Sequence, residues 1–216
     1  MDLASVIDHT LLKPDATGDQ IRKLCLEAVE YGFCSVCVNP LWVPLCAGEL
    51  KEKQPLVCSV AGFPLGATPM AAGEAEWAVS RGAGEIDMVL PVGLLKAGNR
   101  SGVLRSIEEV VKAVQGTPVK VILETCLLTR EEKILACRLS EEAGAAFVKT
   151  STGFAGGGAT TEDIALMSET VGGRLGVKAS GGIRTREDAL AMIEAGATRI
   201  GASSSIAIVN GNKTNQ

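Results

Sequence analysis

Short β-branched runs alternate along this chain with longer stretches of helical period. Eight runs read as strands: Val6–Leu11, Ser35–Asn39, Leu56–Ala61, Glu85–Leu90, Val119–Glu124, Phe147–Ser151, Gly176–Ser180 and Arg199–Ser203. Between them, Asp19–Tyr31, Pro69–Arg81, Val103–Val114, Arg130–Ala143, Thr161–Thr170 and Arg186–Ala195 read as helices, with Pro40–Lys53 a weaker one. Gly32, Gly82, Gly144 and Gly196 stand just past helix ends, where a left-handed cap is wanted. Thr161 and Thr185, each followed by acids, are expected at helix starts.

The strands recur every ~28 residues, near the minimum for a βαβ unit. Eight such units in about 200–250 residues is the size of a (β/α)8 barrel. A doubly wound open sheet would want a G-x-G-x-x-G turn after its first strand, and none is present. The expected fold is α/β, a single (β/α)8 TIM barrel over residues 1–209, followed by a polar tail, residues 210–216.

Strands of a parallel barrel are buried on both faces and should be nearly all apolar. Several here are not, and the polar positions share a parity. Ile86, Met88 and Leu90 face the helices, leaving Glu85, Asp87 and Val89 toward the barrel interior. The same alternation turns Lys149 inward with Phe147 and Ser151, and Lys178 with Gly176 and Ser180. Lys120 and Glu124 are inward by the same rule. His9 falls on the face opposite Asp8 and Thr10 and reads as structural. A buried ion-pair network is the bland account of these charges. Several interior cations in one core are costly, however, and point to a task.

Composition narrows that task. Among 216 residues, 46 % are hydrophobic and 21 % charged, so a large core is available. The net charge of −4 and an aromatic content of 3 % argue against a nucleic-acid partner. Apolar runs fall short of the ~20 residues of a membrane span, and the N-terminus lacks signal-peptide blocks, so a cytoplasmic protein is expected. Seven cysteines cannot all pair within the chain, which also suits a reducing compartment. The Cys34-Ser35-Val36-Cys37 spacing lies on a strand, with its thiols on opposite faces, so no metal or redox pair is read there. One histidine nearly excludes a His-based triad or multi-His metal centre, and no metal or other cofactor is expected.

Two interior lysines beside an aspartate suit carbonyl chemistry. At a reference pKa of ~10.4 a lysine is almost wholly protonated near neutrality; a second ammonium and a dry pocket lower that value by several units. The free amine then attacks a carbonyl, and the resulting iminium is an electron sink for carbon–carbon cleavage. After the Lys178 strand comes Gly181-Gly182-Ile183-Arg184-Thr185, and after the last strand Gly201-Ala202-Ser203-Ser204-Ser205. Gly-rich loops opening helices at these two positions suit a phosphate.

The segments Asp8-His9-Thr10-Leu11-Leu12-Lys13-Pro14, Glu85-Ile86-Asp87-Met88-Val89, Phe147-Val148-Lys149-Thr150-Ser151-Thr152-Gly153, Val177-Lys178-Ala179-Ser180-Gly181-Gly182-Ile183-Arg184-Thr185 and Gly201-Ala202-Ser203-Ser204 resemble the deoxyribose-phosphate aldolases, in order and over nearly the whole chain. The resemblance implies a class I aldolase that interconverts 2-deoxy-D-ribose 5-phosphate with D-glyceraldehyde 3-phosphate and acetaldehyde. It implies Lys149 as the Schiff-base lysine and Asp87 and Lys178 as the proton donor and acceptor. Gly181, Gly182, Ser203 and Ser204 match its phosphate loops; Asp8, Thr150, Gly153 and Arg184 are the further substrate-binding candidates. Some members carry Lys after the Ser-Thr-Gly, where this chain has Phe154, which leaves that contact to Arg184. The implied partners are a phosphorylated sugar and aldehydes, with a homo-oligomer, dimer or tetramer, as the assembly. Two other classes stay open on the residues alone: another sugar-phosphate barrel enzyme of transaldolase or isomerase type, and a non-catalytic sugar-phosphate-binding barrel.

Overall fold

The computed structural model describes residues 2–211; most of the expected polar tail lies outside them. Eight parallel strands close into a barrel in sequence order: β1 Ile7–Leu11, β2 Ser35–Val38, β3 Leu56–Ala61, β4 Glu85–Val89, β5 Val119–Ile122, β6 Phe147–Lys149, β7 Gly176–Ser180 and β8 Arg199–Ala202. Around it run α1 Gly18–Tyr31, α2 Val43–Glu49, α3 Ala71–Ser80, α4 Val92–Lys96, α5 Arg100–Ala113, α6 Arg130–Glu142, α7 Thr161–Val171, α8 Arg186–Glu194 and α9 Ser205–Asn210. The short helices α4 and α9 have no counterpart in the expected set, because one or two turns show too few periods to be read.

Helix ends follow local chemistry. Thr17, Thr129 and Thr185 each cap a helix, and Gln20, Glu132 and Asp188 return the bond to the capping backbone. The cap of α7 is Thr160, not Thr161: its hydroxyl accepts from the Asp163 amide. Gly32, Gly82, Gly144 and Gly196 all have positive φ.

The two strand faces separate as the alternation requires. Ile86, Met88 and Leu90 are fully buried in one layer with Val121, Val177 and Ala179. Ile21 and Leu24 of α1, Ile107 of α5 and Ile164 of α7 pack into the same layer. Each such side chain contributes about 1.5–3 kcal/mol, so this outer shell can carry a polar interior. His9 also faces outward. Its ring nitrogens lie 3.0 Å from Ser205 Oγ and 2.8 Å from Glu27 Oε2, tying β1 to α9 and α1.

Two strands end two residues earlier than their sequence suggests, and the others end within one. β5 stops at Ile122, and Glu124 turns into the left-handed region with φ 56°. It is therefore not an inward strand position. Its buried carboxylate instead accepts from the amide and hydroxyl of Thr152. β6 stops at Lys149 itself, so the segment after it is free to form a loop over the barrel mouth.

Candidate active site

Inside the barrel, register sets the charged residues side by side. Asp87 pairs with Lys120, Lys149 with Lys178, and Lys178 with Arg199 across neighbouring strands. Their contacts close a ring. Asp87 Oδ1 accepts from Lys120 Nζ at 2.9 Å, and Oδ2 accepts from Lys149 Nζ at 2.8 Å and Lys178 Nζ at 2.7 Å. Lys178 also donates to Asp8 Oδ2. Arg199 bonds Asp8 Oδ1 at 2.8 Å and both Glu85 oxygens at 3.0 and 3.1 Å. Lys120 returns to Glu85 at 2.7 Å. All seven side chains are buried or nearly so. Gly201, packed beside Lys178, is needed for room: a Cβ there would stand 3.0 Å from Lys178 Cε.

The electrostatics follow from these contacts. Burial opposes every charge, but the opposite charges outweigh it. Asp87 lies well below the usual carboxylate range because Lys120, Lys149 and Lys178 surround it. Asp8 is lowered by Lys178, Lys120 and Arg199. Lys178 is held well above its ordinary value by Asp8 and Asp87, and Lys120 is raised chiefly by Asp87. Lys149 differs in its partners: its ammonium has one carboxylate, Asp87, where Lys120 and Lys178 each contact two within hydrogen-bond distance.

Lys149 is also the one of these lysines that reaches open space. A cavity of about 410 Å³ at the C-terminal mouth is lined by Lys149, Thr152, Gly153, Phe154, Gly181, Gly182, Arg184 and Ser203, among others. Asp87, Lys178 and Asp8 stand behind Lys149, outside that lining. Thr150 clamps two strands: its hydroxyl donates to Ser180 O at 2.9 Å and accepts from Ser180 N at 3.0 Å. Ser204 stands at the N-cap position of α9, next in sequence to the lining residue Ser203, and its side chain makes no capping bond. In the same lining Gly181 and Gly182 have φ of 88° and 81°. Positive φ at both positions is backbone that glycine alone adopts without strain, and the pair leads into α8. Phe154 packs edge-on against Phe63, centroids 5.2 Å apart.

Two participants, Lys13 and Arg199, escape the sequence reading. Lys13 lines the cavity just past β1, and its place beyond a strand end was a usable signal. Arg199 stands at the very start of its strand, where alternation gives little signal; Lys120 and Glu85 are read as inward, and register supplies the partners that the sequence does not.

The carboxylate of Asp87 and the sulfurs of Cys37 and Cys58 lie within 4.8 Å of one another. The Lys120 ammonium, however, stands 2.9 Å from Asp87 and 3.5 Å from Cys58 Sγ. A metal ion there would meet three ammonium groups, so the trio does not fit one. The Cys58 thiol, pushed up by burial and by Cys37, donates to Asp87 at 3.2 Å instead.

A carboxylate-bound lysine lining the same cavity as a Gly-Gly turn agrees with the chain's relatives. It is 59 % identical over 214 residues to a deoxyribose-phosphate aldolase of Thermoanaerobacter sp., covering 97 % of this chain and 96 % of that protein. It is 58 % identical to one from Streptococcus suis, covering 98 % and 97 %. Among solved structures, the tetrameric deoxyribose-phosphate aldolase from Aeropyrum pernix superposes with a TM-score of 0.92 at 37 % identity, covering 98 % of this chain and 91 % of that one. An aldolase named QR15 gives 0.93 at 42 %, covering 97 % and 95 %. The sequence profile of the DeoC/LacD aldolases matches residues 3–213, and with an eight-stranded barrel that carries its lysines inward, this chain belongs to the DeoC/LacD family of aldolases.

Proposed function

We propose that the protein interconverts 2-deoxy-D-ribose 5-phosphate with D-glyceraldehyde 3-phosphate and acetaldehyde through a Schiff base on Lys149. The observation that carries this reading is the placement of Lys149: it lines the cavity, and Asp87 is its one carboxylate partner. In the cleavage direction the neutral amine attacks the C1 aldehyde of the open-chain sugar. Water leaves, and a cationic iminium remains. A base takes the C3 hydroxyl proton, the C2–C3 bond breaks, and its electron pair flows into the iminium as an enamine. Glyceraldehyde 3-phosphate departs. Protonation of the enamine at C2 and addition of water to the iminium release acetaldehyde and the lysine.

Asp87 and Lys178 exchange these protons, through water, since both stand behind Lys149. The Gly181 and Gly182 amides, Ser203, Arg184 and Lys13 hold the phosphate at the other end of the cavity. Ser204, at the N-cap position of α9 with its hydroxyl making no capping bond, leaves that hydroxyl available to the phosphate, and Thr150 supports Lys149 by joining β6 to β7. Gly153 gives the loop after Lys149 its turn beside the substrate chain. Asp8 acts through Lys178 rather than on the sugar.

The protein works in the cytoplasm as a homo-oligomer, dimer or tetramer. A solved relative of the same fold, the deoxyribose-phosphate aldolase from Aeropyrum pernix, is tetrameric, which supports self-association, and no helix among the described residues is long and apolar enough to cross a membrane. The test is intact mass after borohydride reduction in the presence of substrate, followed by peptide mapping. An adduct on Lys149 is expected; its absence with active enzyme would point to an isomerase-type reaction.

A further inference from the structure

The interior ring holds four cations, Lys120, Lys149, Lys178 and Arg199, against three carboxylates, Asp8, Glu85 and Asp87. Six of the seven alternate in sign around a closed circuit, Asp87–Lys120–Glu85–Arg199–Asp8–Lys178, and Lys149 hangs from Asp87 as the seventh. The circuit without Lys149 is balanced, three against three. Lys149 is therefore the surplus cation, and its proton can leave without stranding a carboxylate. Arg199 makes this possible, because a guanidinium does not release its proton. Glu85 and Arg199 open β4 and β8, at the floor of the barrel, and neither lines the cavity.

We propose that Arg199 and Glu85 are positioning residues that set the protonation of the Schiff-base lysine from the barrel floor, Arg199 by releasing Lys149 from charge duty and Glu85 by limiting that release. This rests on the assignment of the Schiff base to Lys149. Its signature is a pair of opposite shifts. Without the Arg199 charge the three carboxylates need all three lysines as ammonium, so the Lys149 amine appears only at higher pH. Without the Glu85 charge the ring carries two surplus cations, and the amine appears at lower pH. The other groups that face this interior do not upset the count. Cys34 and Cys58 are pushed up by burial; Cys37 is lowered by its hydrogen bond with Cys58, but every variant compared below carries it alike, so it leaves the differences between them unchanged; and Glu124 turns away to Thr152.

The experiment is the initial rate of cyanoborohydride trapping of acetaldehyde, followed by mass spectrometry across pH, for wild type, Glu85→Gln, Arg199→Gln, Arg199→Lys and the Glu85→Gln/Arg199→Gln double variant. Glu85 and Arg199 stand three and four links from Lys149 around the circuit, and one unit charge at that remove in a buried interior moves an acid limb by about one pH unit. The limb of Glu85→Gln is expected about that far below wild type, and that of Arg199→Gln about that far above. Arg199→Lys and the double variant, which restore the charge count, are expected near wild type even where the trapping rate falls. Limbs that stay in place, or move in the same direction for both single variants, would overturn the proposal. If Arg199→Gln does not fold by circular dichroism, Glu85→Gln and the double variant still decide it, since only charge counting moves the first and returns the second. Wild-type mapping separates the two levels. No adduct on Lys149 removes the Schiff-base assignment, whereas an adduct there with unshifted limbs removes only the ring's role.

Discussion

The floor and the mouth of this cavity are built on opposite principles. On the floor, every charged group has a partner within the protein: three carboxylates and four cations satisfy one another. At the mouth, Gly181, Gly182 and Ser203 line open space with few side-chain partners of their own. The floor acts through protonation states that its members impose on each other. The mouth acts through backbone dipoles that become useful only when an anion arrives. A substitution on the floor should therefore change chemistry at every substrate, and one at the mouth should change recognition of the phosphate alone.

The largest effect expected is at the junction of the two. Lys149→Ala should abolish borohydride trapping and lower turnover by at least about ten-thousandfold; a variant that still traps substrate would move the nucleophile to Lys178. Next comes Lys178→Leu. With that cation gone the interior has no surplus, Lys149 stays an ammonium, and turnover near neutrality should fall about a thousandfold, with residual activity climbing as pH rises. A flat pH profile in this variant would dissociate Lys178 from the amine and leave it only a proton-transfer role.

Stability probes the floor from another side. Asp8 and Asp87 have folded values below their unfolded ones, so their contribution is present above about pH 4 and is lost as pH falls through the folded values. Lys178 has the opposite sign: its contribution is present below about pH 10 and is lost as pH rises through its raised folded value. Asp8→Asn leaves Lys178 and Arg199 short of a buried partner and should cost about 3–5 kcal/mol at neutral pH. In urea melts the gap to wild type should narrow in acid, where wild-type Asp8 protonates too. A constant gap would mean that packing, not charge, is lost.

The mouth predicts smaller and more selective losses. Gly182→Val forces a branched side chain into φ 81° and tilts an amide away from the anion. The KM for the phosphorylated sugar should rise about tenfold to a hundredfold, the cost of one or two charge-assisted hydrogen bonds, while plain deoxyribose is little affected. Equal effects on both substrates would make Gly181-Gly182 a structural turn and blur the contrast between the two regions. Smallest of all, EDTA should leave turnover unchanged, because three ammonium groups oppose a metal ion at the one thiol–carboxylate trio found among the described residues.

Alternation along β4, β6 and β7 determined from the sequence alone that Asp87, Lys149 and Lys178 share the barrel interior, because a strand has a period of two and the helix-facing positions are apolar. The unit repeat determined the eight-fold barrel for a similar reason: each βαβ unit is local. What the sequence could not express is distance around the barrel. Asp8 and Arg199 are 191 residues apart, yet closure of β1 on β8 brings them to 2.8 Å. Lys120 read as one more inward charge until register placed it between Glu85 and Asp87. Glu124 counted as inward until its backbone left the strand, a choice made by the bond to Thr152 on another loop. Which residues face inward is a property of each strand. Which of them hold protons is a property of the closed ring, since charge balance is a sum over side chains that only the tertiary structure brings together.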